Sequence, residues 1–255
     1  MINILCSSYS FPSGRILKDL IVEKTGEKVR LTSHPEILLK RKETPSIRYG
    51  NSFGNFKSET GLNSPEFIQK CASKLAFSKL LLDAGLYTPE YSRDPKAVKE
   101  FPVLIRQSLS LSGGRGIILC KDEEEFRKNW IGRFWTKYIP TEFELRVHVL
   151  DDNIVRIFRK EQIEPTEFPI RNNETCHFSL KEPDKYPKLQ SLVNSLNDVF
   201  RANVIDFGFY ALDIGWDKSK KQYFIFEANS APGLNEHTAE LYTDFLLENI
   251  SLEVT

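Results

Sequence analysis

The sequence predicts a mixed α+β protein in which antiparallel hairpins outnumber β-α-β units. Short apolar runs joined by brief polar turns, the pattern of paired strands, fill much of the chain. A few segments with apolar residues at helical spacing, which are predicted helices, lie between these runs. With 255 residues and no internal repeat, the chain can bury a large core as one domain or as two to three lobes.

The chain opens with a predicted small α/β lobe. Residues 2–6 favour a strand, and residues 13–24 favour a helix that Gly26 ends, since glycine readily adopts the left-handed conformation common at helix C-termini. Residues 27–31 are predicted to form a second strand. The segment 32–63 is rich in polar residues, glycine and proline, so it is predicted to be a linker.

A long helix is predicted over residues 64–85. Ser64 suits the N-cap, Pro65 suits the first helical position, and Gly85 ends the run. Lys74, midway along this helix, is either a phosphate contact or an ordinary solvated lysine. Apolar or small residues recur at helical spacing along it: Phe67, Cys71, Leu75, Ser78 and Leu82.

A glycine-rich loop at residues 108–116 joins the predicted strands 101–105 and 117–120. Glycine lets the backbone approach a ligand closely and aim successive N–H groups at anionic oxygens. The loop lacks the GxxxxGK[ST] spacing of a P-loop, and no helix follows it. It is therefore either a phosphate cover or a flexible hairpin tip, with Arg106 before it as a candidate phosphate ligand.

The rest of the chain alternates predicted strands and helices. Glu144, Arg146 and His148 share one strand face, which indicates either a polar cleft floor or an exposed sheet face. The aromatic strand 133–139 either borders an adenine ring or belongs to the core. The predicted elements are a helix with Asp122 as its N-cap, strands 133–139, 143–150 and 153–160, a helix at 186–201, a hairpin at 211–229 and a helix at 236–249.

The hairpin carries acidic and amide side chains where a buried strand would normally have hydrocarbon. A five-residue turn at residues 218–222 would set Asp213 directly opposite Glu227, with Cβ atoms roughly 5 Å apart. Asn229 lies two positions beyond Glu227, on the same face. Two facing carboxylates raise each other's pKa unless a cation lies between them.

An Asp, Glu and Asn set has the all-oxygen chemistry that Mg²⁺ prefers. The alternative is a solvated hairpin face whose charges have no role. The Asn-Ser-Ala-Pro-Gly-Leu segment at residues 229–234 favours the metal site, because a chain reversal there would hold Asn229 in place.

Composition excludes several classes of protein. The 35 basic and 35 acidic residues cancel, so no overall field favours nucleic acid or an anionic membrane as a partner. No apolar run reaches the roughly 20 residues that a membrane span needs. The cysteines are scattered without a CxxC pair, and no secretory leader is evident, so a reduced, cytoplasmic protein is expected. They are Cys6, Cys71, Cys120 and Cys176.

Together these motifs resemble the ATP-grasp superfamily. They are most similar to small carboxylate–amine ligases of the ribosomal-protein S6 glutamate ligase and glutathione synthetase group, including short phage and bacterial members. The similarity extends from about Asn63 to Tyr242, and the motifs follow the family order. They are SKLAFSKLLLDAGLYTP, PVLIR with SGGRGI, ELRVHV, IRNN, and LDIG with FEANSAPGL.

The resemblance implies an ATP-grasp fold, in which two α+β lobes grip ATP, preceded by a short α/β lobe. The implied boundaries are residues 1–62 for the N-terminal lobe, 63–138 for the first ATP-grasp lobe with its glycine-rich loop, and 139–255 for the second lobe with the magnesium site.

The resemblance also implies residue roles. The nucleotide ligands would be Lys74, Arg106, Ser112, Gly113, Gly114, Gly116, Lys137, Tyr138 and Ile139. Two Mg²⁺ ions, with Mn²⁺ as a substitute, would be held by Asp213, Glu227 and Asn229. Arg146, Arg171 and Asn172 would steady the transferred phosphoryl group and the acyl substrate. The sequence departs from the family at Arg106, where many members have lysine, at Lys137, where an acidic residue often meets the adenine amino group, and at residues 173–175, which replace a glycine.

The implied reaction is ATP-dependent, ADP-forming joining of a carboxylate to an amine through an acyl phosphate. Small-molecule or peptide acids and amines would be its partners, and the sequence carries no signal for an oligomeric state. Two alternatives remain: a small-molecule kinase of the same fold, and a non-catalytic nucleotide-binding protein. The kinase would need a denser basic pocket than Arg146, Lys160 and Arg171 supply, and the non-catalytic protein would not need the whole metal-binding set.

Overall fold

The computed structural model describes residues 1–38, 44–54, 62–107, 116–131, 134–164, 166–171 and 175–252. Helices and strands are mixed, and the strands form three sheets of three, four and five strands. The predicted α+β class is therefore confirmed. No helix among these residues is long and apolar enough to cross a membrane.

The N-terminal lobe is a three-stranded parallel sheet with a helix. Its order is β2-β1-β3, and the helix α1 ends at Gly26, which has a φ of 69° as predicted. The elements are β1 (Ile2–Cys6), α1 (Phe11–Thr25), β2 (Val29–Thr32) and β3 (Ser46–Tyr49).

Strand β3 lies inside the segment predicted to be a linker, so that prediction is wrong there. All four of its residues are buried, including the charged Arg48. The Arg48 guanidinium donates hydrogen bonds to the carbonyls of Asn51, Phe53 and Gly54. Because these carbonyls satisfy the charge locally, a residue that looks solvated in the sequence can occupy a buried strand.

The predicted helix over residues 64–85 is two helices, α2 (Pro65–Ala72) and α3 (Lys74–Asp83). Ser64 caps α2 as predicted, accepting a hydrogen bond from the Phe67 N–H at 3.1 Å. Ser73 interrupts the run with extended backbone and caps α3 through the Ala76 N–H at 3.3 Å. Lys74 therefore lies at the start of a helix, not midway along one.

The four-stranded sheet is antiparallel with order β4-β7-β5-β6. Helix α4 (Glu123–Asn129) packs against it, and Asp122 is the predicted N-cap, accepting from the Glu125 N–H at 2.9 Å. The two-residue strand β4 was not predicted. The strands are β4 (Tyr91–Ser92), β5 (Val103–Arg106), β6 (Ile117–Cys120) and β7 (Phe134–Lys137).

The five-stranded sheet is also antiparallel, with order β10-β9-β8-β11-β12. Strand β10 is an edge strand that the sequence patterns did not indicate. Helices α2, α3 and α5 (Leu189–Ala202) cover one face of this sheet and form the largest apolar core with it. The strands are β8 (Glu144–Leu150), β9 (Asn153–Gln162), β10 (Cys176–Lys181), β11 (Phe209–Asp217) and β12 (Gln222–Asn229).

The other face of the five-stranded sheet is covered at one end by α6 (Glu236–Leu252) and the N-terminal lobe, which share an apolar core. Lys24 of α1 forms an ion pair with Asp244 of α6. The remaining part of this face looks toward the four-stranded sheet. The boundaries at residues 62 and 138 stay predictions.

Candidate active site

A cavity lies between the four-stranded and five-stranded sheets and holds about 780 Å³ of space, including the part that opens to solvent. It brings together side chains that are far apart in the sequence. Of the residues predicted to act, those lining it are Lys74, Arg106, Lys137, Tyr138, Ile139, Arg171, Asp213 and Glu227.

Three charged residues form a row across the five-stranded sheet, and two of them, Asp213 and Glu227, line the cavity. Asp213 of β11 is paired with Glu227 of β12 on one side and with Arg146 of β8 on the other. The predicted opposition of Asp213 and Glu227 is therefore confirmed. Leu212 and Ile214, which flank Asp213 along β11, point to the opposite face and join the apolar core.

The hairpin reaches this register by a different route from the predicted one. Asp217 pairs with Gln222, so the turn has four residues, 218–221, and not five. The missing residue is restored by a β-bulge: Asp213 pairs with Glu227 but Ile214 pairs with Ile225, which leaves Phe226 as the extra residue. Phe226 and Glu227 consequently both line the cavity although they are adjacent in the chain.

Asp213 is held by two cations. Arg146 donates two hydrogen bonds to its carboxylate, both at 2.9 Å, and the Lys160 ammonium lies 3.0 Å from Oδ2. Burial alone would raise the pKa of Asp213, but the charges of Arg146 and Lys160 outweigh burial and hold that pKa well below its usual range. Asp213 is therefore an ionised carboxylate at neutral pH.

Glu227 forms an ion pair with Lys74, which α3 projects from its first turn. Burial opposes the charge of Glu227, yet the Lys74 ammonium lowers its pKa below the ordinary value. Both facing acids thus remain ionised, and each is balanced by a cation supplied by another element.

Glu144 connects the remaining cations. Its carboxylate lies 3.8 Å from Lys160 and 3.2 Å from Arg171, and Thr141 accepts a further hydrogen bond from Arg171. Burial raises the pKa of Glu144 despite these two charges. The pKa values of the two acids shift in opposite directions because Asp213 has both hydrogen bonds of Arg146 and the nearer contact to Lys160.

Among the described residues, five cations and three carboxylates therefore meet in this region, apart from Lys137, whose ammonium pairs with Glu100 outside the cavity. The excess of positive charge favours an anionic ligand. The cations are Lys74, Arg106, Arg146, Lys160 and Arg171, and the acids are Glu144, Asp213 and Glu227.

Similar architectures occur among solved structures. Over 99% of this chain and 96% of the other, the structure superposes on D-alanine–D-alanine ligase from Bacillus anthracis complexed with ATP, with a TM-score of 0.66 and 13% sequence identity. The ATP-grasp ligase PsnB with minimal precursor, Mg and ADP matches over 98% of this chain and 97% of its own, with a TM-score of 0.64 and 14% identity. The chain has the ATP-grasp fold.

A third ATP-grasp match is N5-carboxyaminoimidazole synthetase from Staphylococcus aureus complexed with ADP. The superposition covers 92% of this chain and 71% of the synthetase chain, with a TM-score of 0.68 and 14% sequence identity. Comparison with family profiles and with the sequences of curated proteins finds no significant match. These matches show the ATP-grasp fold, while membership of the superfamily and the nearer similarity to the S6 glutamate ligase group stay predictions.

Within the ATP-grasp fold, the predicted metal set has suitable chemistry for Mg²⁺. Asp213 and Glu227 are facing ionised carboxylates, and Asn229 follows on the same side of β12. Asn229 does not line the cavity, and its buried Nδ2 has no hydrogen-bond partner in the described part of the chain. Among the described residues, no group of three or more His, Cys, Asp and Glu side chains is placed so that it could hold a metal ion, so a metal site would rely on this amide as well.

The adenine side of the cavity is predicted to lie along residues 137–139. Tyr138 and Ile139 are buried and line the cavity with Leu104 and Phe226. The Lys137 ammonium is 2.5 Å from Glu100, an exposed residue outside the cavity lining. Recognition of a base at Lys137 would therefore depend on its backbone and on this apolar wall.

The remaining predicted residues fall elsewhere. Gly116 closes the β5–β6 hairpin, with φ +68° and its carbonyl accepting from the Gln107 N–H at 2.9 Å, but it does not line the cavity. Arg146 reaches the site through Asp213. Ser112, Gly113, Gly114 and Asn172 lie outside the described residues.

The polar side chains of β8 that were predicted to share one face contact two different regions. Glu144 lines the cavity and Arg146 holds Asp213, but His148 contacts Tyr242 of α6, with Nδ1 3.1 Å from the tyrosine oxygen. From the sequence, Lys160 was expected only as one of the basic residues of the pocket, with no partner of its own. Symmetry about the Asp151-Asp152 turn would place Arg159 opposite Glu144. A β-bulge between His148 and Val149 shifts the β8–β9 register by one residue and brings Lys160 there instead, so no sequence signal identifies it.

Proposed function

We propose that this chain is an ATP-dependent, ADP-forming carboxylate–amine ligase that acts through an acyl-phosphate intermediate. The observation that carries the proposal is the ionised Asp213–Glu227 pair on the floor of a cavity with a surplus of buried cations. The carboxylates can bind divalent cations and the basic side chains can bind a polyanion, so the site favours a polyanion bound together with divalent cations over either ligand alone. The ATP-grasp fold of the solved ligases supports the same reading.

In the first proposed step, a substrate carboxylate oxygen attacks the γ-phosphorus of ATP. An O–P bond forms, the bond from the γ-phosphorus to the bridging oxygen breaks, and ADP leaves. Lys74 and Arg106 would hold the phosphate oxygens from opposite sides of the cavity, while Arg171, fixed by Glu144 and Thr141, would orient the reacting group. Positioning and charge neutralisation supply most of the catalysis in phosphoryl transfer.

In the second proposed step, an amine nitrogen attacks the acyl carbon. A C–N bond forms, the C–O bond to the phosphate breaks, and the amine loses its proton to solvent as phosphate departs. The apolar wall and the buried ion pairs would limit access of water, which would otherwise hydrolyse the acyl phosphate.

Asp213, Glu227 and Asn229 would hold Mg²⁺, and Mn²⁺ could substitute. When bound, the cation would neutralise charge on the phosphate oxygens. Arg146 would serve this site indirectly, because its two hydrogen bonds fix the Asp213 carboxylate and keep it ionised.

The test is an assay of ADP release with panels of acids and amines. The proposal predicts ADP formation that requires both substrates, and transfer of one ¹⁸O atom from a labelled carboxylate to the released phosphate. Glu227→Gln should lower the rate at least about a hundredfold, since it removes a charge that acts in the transition state. Glu240→Gln makes the same chemical change at an exposed position of α6 and should leave the rate unchanged.

Two outcomes would contradict the ligase. A stable phosphate ester formed from a hydroxyl substrate would indicate a kinase instead. Tight ATP binding without turnover on any acid and amine pair would favour a non-catalytic nucleotide-binding protein.

A further inference from the structure

Asn63 lies between the end of the first lobe and helix α2 and makes an unusual set of contacts. It is completely buried and has a φ of 59°, a left-handed conformation that asparagine tolerates better than most residues. Its side chain uses both polar atoms. Oδ1 accepts hydrogen bonds from the N–H groups of Gly208 and Phe209 at 3.0 and 3.2 Å, and Nδ2 donates to the carbonyls of Phe209 and Ser230 at 2.8 and 3.2 Å.

These four bonds join the two strands that carry the predicted metal ligands. Gly208 and Phe209 mark the start of β11, and Ser230 is the first residue beyond the end of β12. Asn229, the last residue of β12, is therefore bounded by its pairing with Ala211 on one side and by the bond from Asn63 to Ser230 on the other.

The chain beyond Ser230 is also held by the N-terminal lobe. The Tyr49 hydroxyl donates to the Pro232 carbonyl, and the Ser13 hydroxyl accepts from the Leu234 N–H at 3.0 Å. Of these contacts, the one from Asn63 is nearest in sequence to Asn229. A strand end without such a contact frays readily, because its last residues lose ladder hydrogen bonds first.

We propose that Asn63 is a positioning residue that fixes the Asn229 amide for a divalent cation shared with Asp213 and Glu227. The proposal rests on the proposed function, because it requires the cation to bind at this hairpin. Asn63 would act on the cation only through the backbone of Ser230. Groups that orient metal ligands in this way typically change metal affinity by about 10- to 100-fold when removed.

The chain contains a matched control. Asn197 of α5 is another completely buried asparagine that contacts β11, and its Oδ1 accepts from the Tyr210 hydroxyl. Its Nδ2 donates to the Asp151 carbonyl at 3.2 Å and to Asp152 at 2.9 Å. Asn197 thus ties β11 to its surroundings without contacting the end of β12.

The experiment measures Mn²⁺ binding by electron paramagnetic resonance, in the presence of a non-hydrolysable ATP analogue, with thermal unfolding recorded in parallel. Asn63→Gly keeps the positive φ and removes all four bonds, whereas Asn63→Asp keeps the acceptor and removes both donated bonds. We expect both variants to bind Mn²⁺ about tenfold or more weakly at temperatures where they are folded. Asn197→Ala should lower the unfolding temperature and leave Mn²⁺ affinity within about twofold of the wild type.

Each outcome is decisive. If wild-type protein with the nucleotide analogue binds no Mn²⁺, the proposed function fails and the role of Asn63 fails with it. If the wild type binds Mn²⁺ and folded Asn63 variants bind it equally well, only the role of Asn63 is overturned. If Asn197→Ala weakens binding as much as the Asn63 variants do, general loosening of the sheet explains the effect and the positioning role is again overturned. If neither Asn63 variant folds, Asn63 is a determinant of folding and the positioning role is rejected.

Discussion

Lys74 has one partner in the described part of the chain, Glu227, and a second expected partner, the phosphate of a bound nucleotide. It starts α3, lines the cavity and forms an ion pair with Glu227. An ammonium engaged in this way competes with a metal ion for the same carboxylate. Phosphate oxygens entering the cavity would draw Lys74 away from Glu227, so nucleotide and metal should favour each other's binding.

We expect Lys74→Met to weaken ATP binding by at least about tenfold, because a charge-assisted hydrogen bond contributes roughly 1.5–3 kcal/mol. The same change should strengthen Mn²⁺ binding in the absence of nucleotide, since Glu227 loses its competing cation. Isothermal titration calorimetry measures both. Lys79→Met removes an exposed lysine from the same helix and should change neither affinity. Unaltered ATP affinity in Lys74→Met would contradict the assignment.

His148 gives a second prediction for a single residue. Burial, assisted by the charge of Arg146, lowers the pKa of His148 from 6.5 to about 3. Between these values the unfolded chain binds a proton on this residue that the folded protein does not, so stability falls as pH decreases through the window. Between pH 7 and pH 5 the unfolding free energy should fall by about 2 kcal/mol, because the slope reaches about 1.4 kcal/mol for each pH unit only below pH 6.5.

Urea unfolding of the wild type and of His148→Gln over that pH range measures the effect. The variant should have a flatter profile, because glutamine does not titrate. Equal slopes for the two proteins would show that His148 does not cause the dependence.

At the scale of secondary structure elements, the β11–β12 hairpin supplies the floor of the site, and Gly215 permits its packing. A Cβ atom at this glycine would lie 2.4 Å from the Phe224 ring and 2.7 Å from Cγ2 of Thr141. Thr141 in turn accepts a hydrogen bond from Arg171. The absence of a side chain at Gly215 therefore lets the Phe224 ring and Thr141, the hydrogen-bond partner of Arg171, both pack closely against β11.

Gly215→Ala should destabilise the protein by about 1–3 kcal/mol, the usual cost of overpacking a well-packed interior. Guanidinium unfolding provides the measurement. Gly233→Ala is a matched control, because a Cβ there would have no atom within 4 Å. Similar losses in both variants would mean that crowding at Gly215 is not the cause.

The same elements show which features of the fold local sequence patterns predict and which they do not. The Asp213–Glu227 opposition was predicted from a symmetric five-residue turn, and it holds because the bulge at Phe226 compensates for a turn that is one residue shorter. The helix break at Ser73 was not predicted, because apolar residues continue through it at nearly helical spacing. The break changes their phase, so that Leu82 is 49% exposed, whereas Phe77 and Leu81 are buried.

Short strands were missed for a related reason. β3 contains a buried arginine, and β4 has only two residues, so neither shows the alternation that defines a strand in a sequence. Contacts between distant segments, such as Asn63 with Ser230, leave no local pattern at all.

At the scale of the whole molecule, the cavity is shared by two sheets, and polar contacts join them in the described part of the chain. One is the Tyr91 hydroxyl of β4, which donates to the Phe226 carbonyl of β12 at 3.3 Å. A nucleotide bound between the sheets would contact both, so its binding free energy should add to the stability of the entire chain.

With MgATP at a hundred times its dissociation constant, the unfolding free energy should therefore rise by about 2.7 kcal/mol. Chemical unfolding with and without MgATP measures the rise. Glu227→Gln, compared at the same ligand concentration, should show a smaller increase. Identical unfolding curves with and without MgATP would exclude a nucleotide site in this cavity.

The bulge at Phe226 has a consequence for comparing this hairpin with distant relatives. Because of the bulge, the number of residues in the turn at the hairpin tip does not alone decide which face of the sheet Glu227 occupies. A relative with one more tip residue and no bulge would have the same spacing between its two acids and would still present both to the cavity. A relative with the same spacing, a four-residue tip and no bulge would set its glutamate opposite the equivalent of Leu212, on the face of the apolar core. The number of residues between the two acids therefore does not by itself show that both face the cavity, because the tip length and the bulge act together.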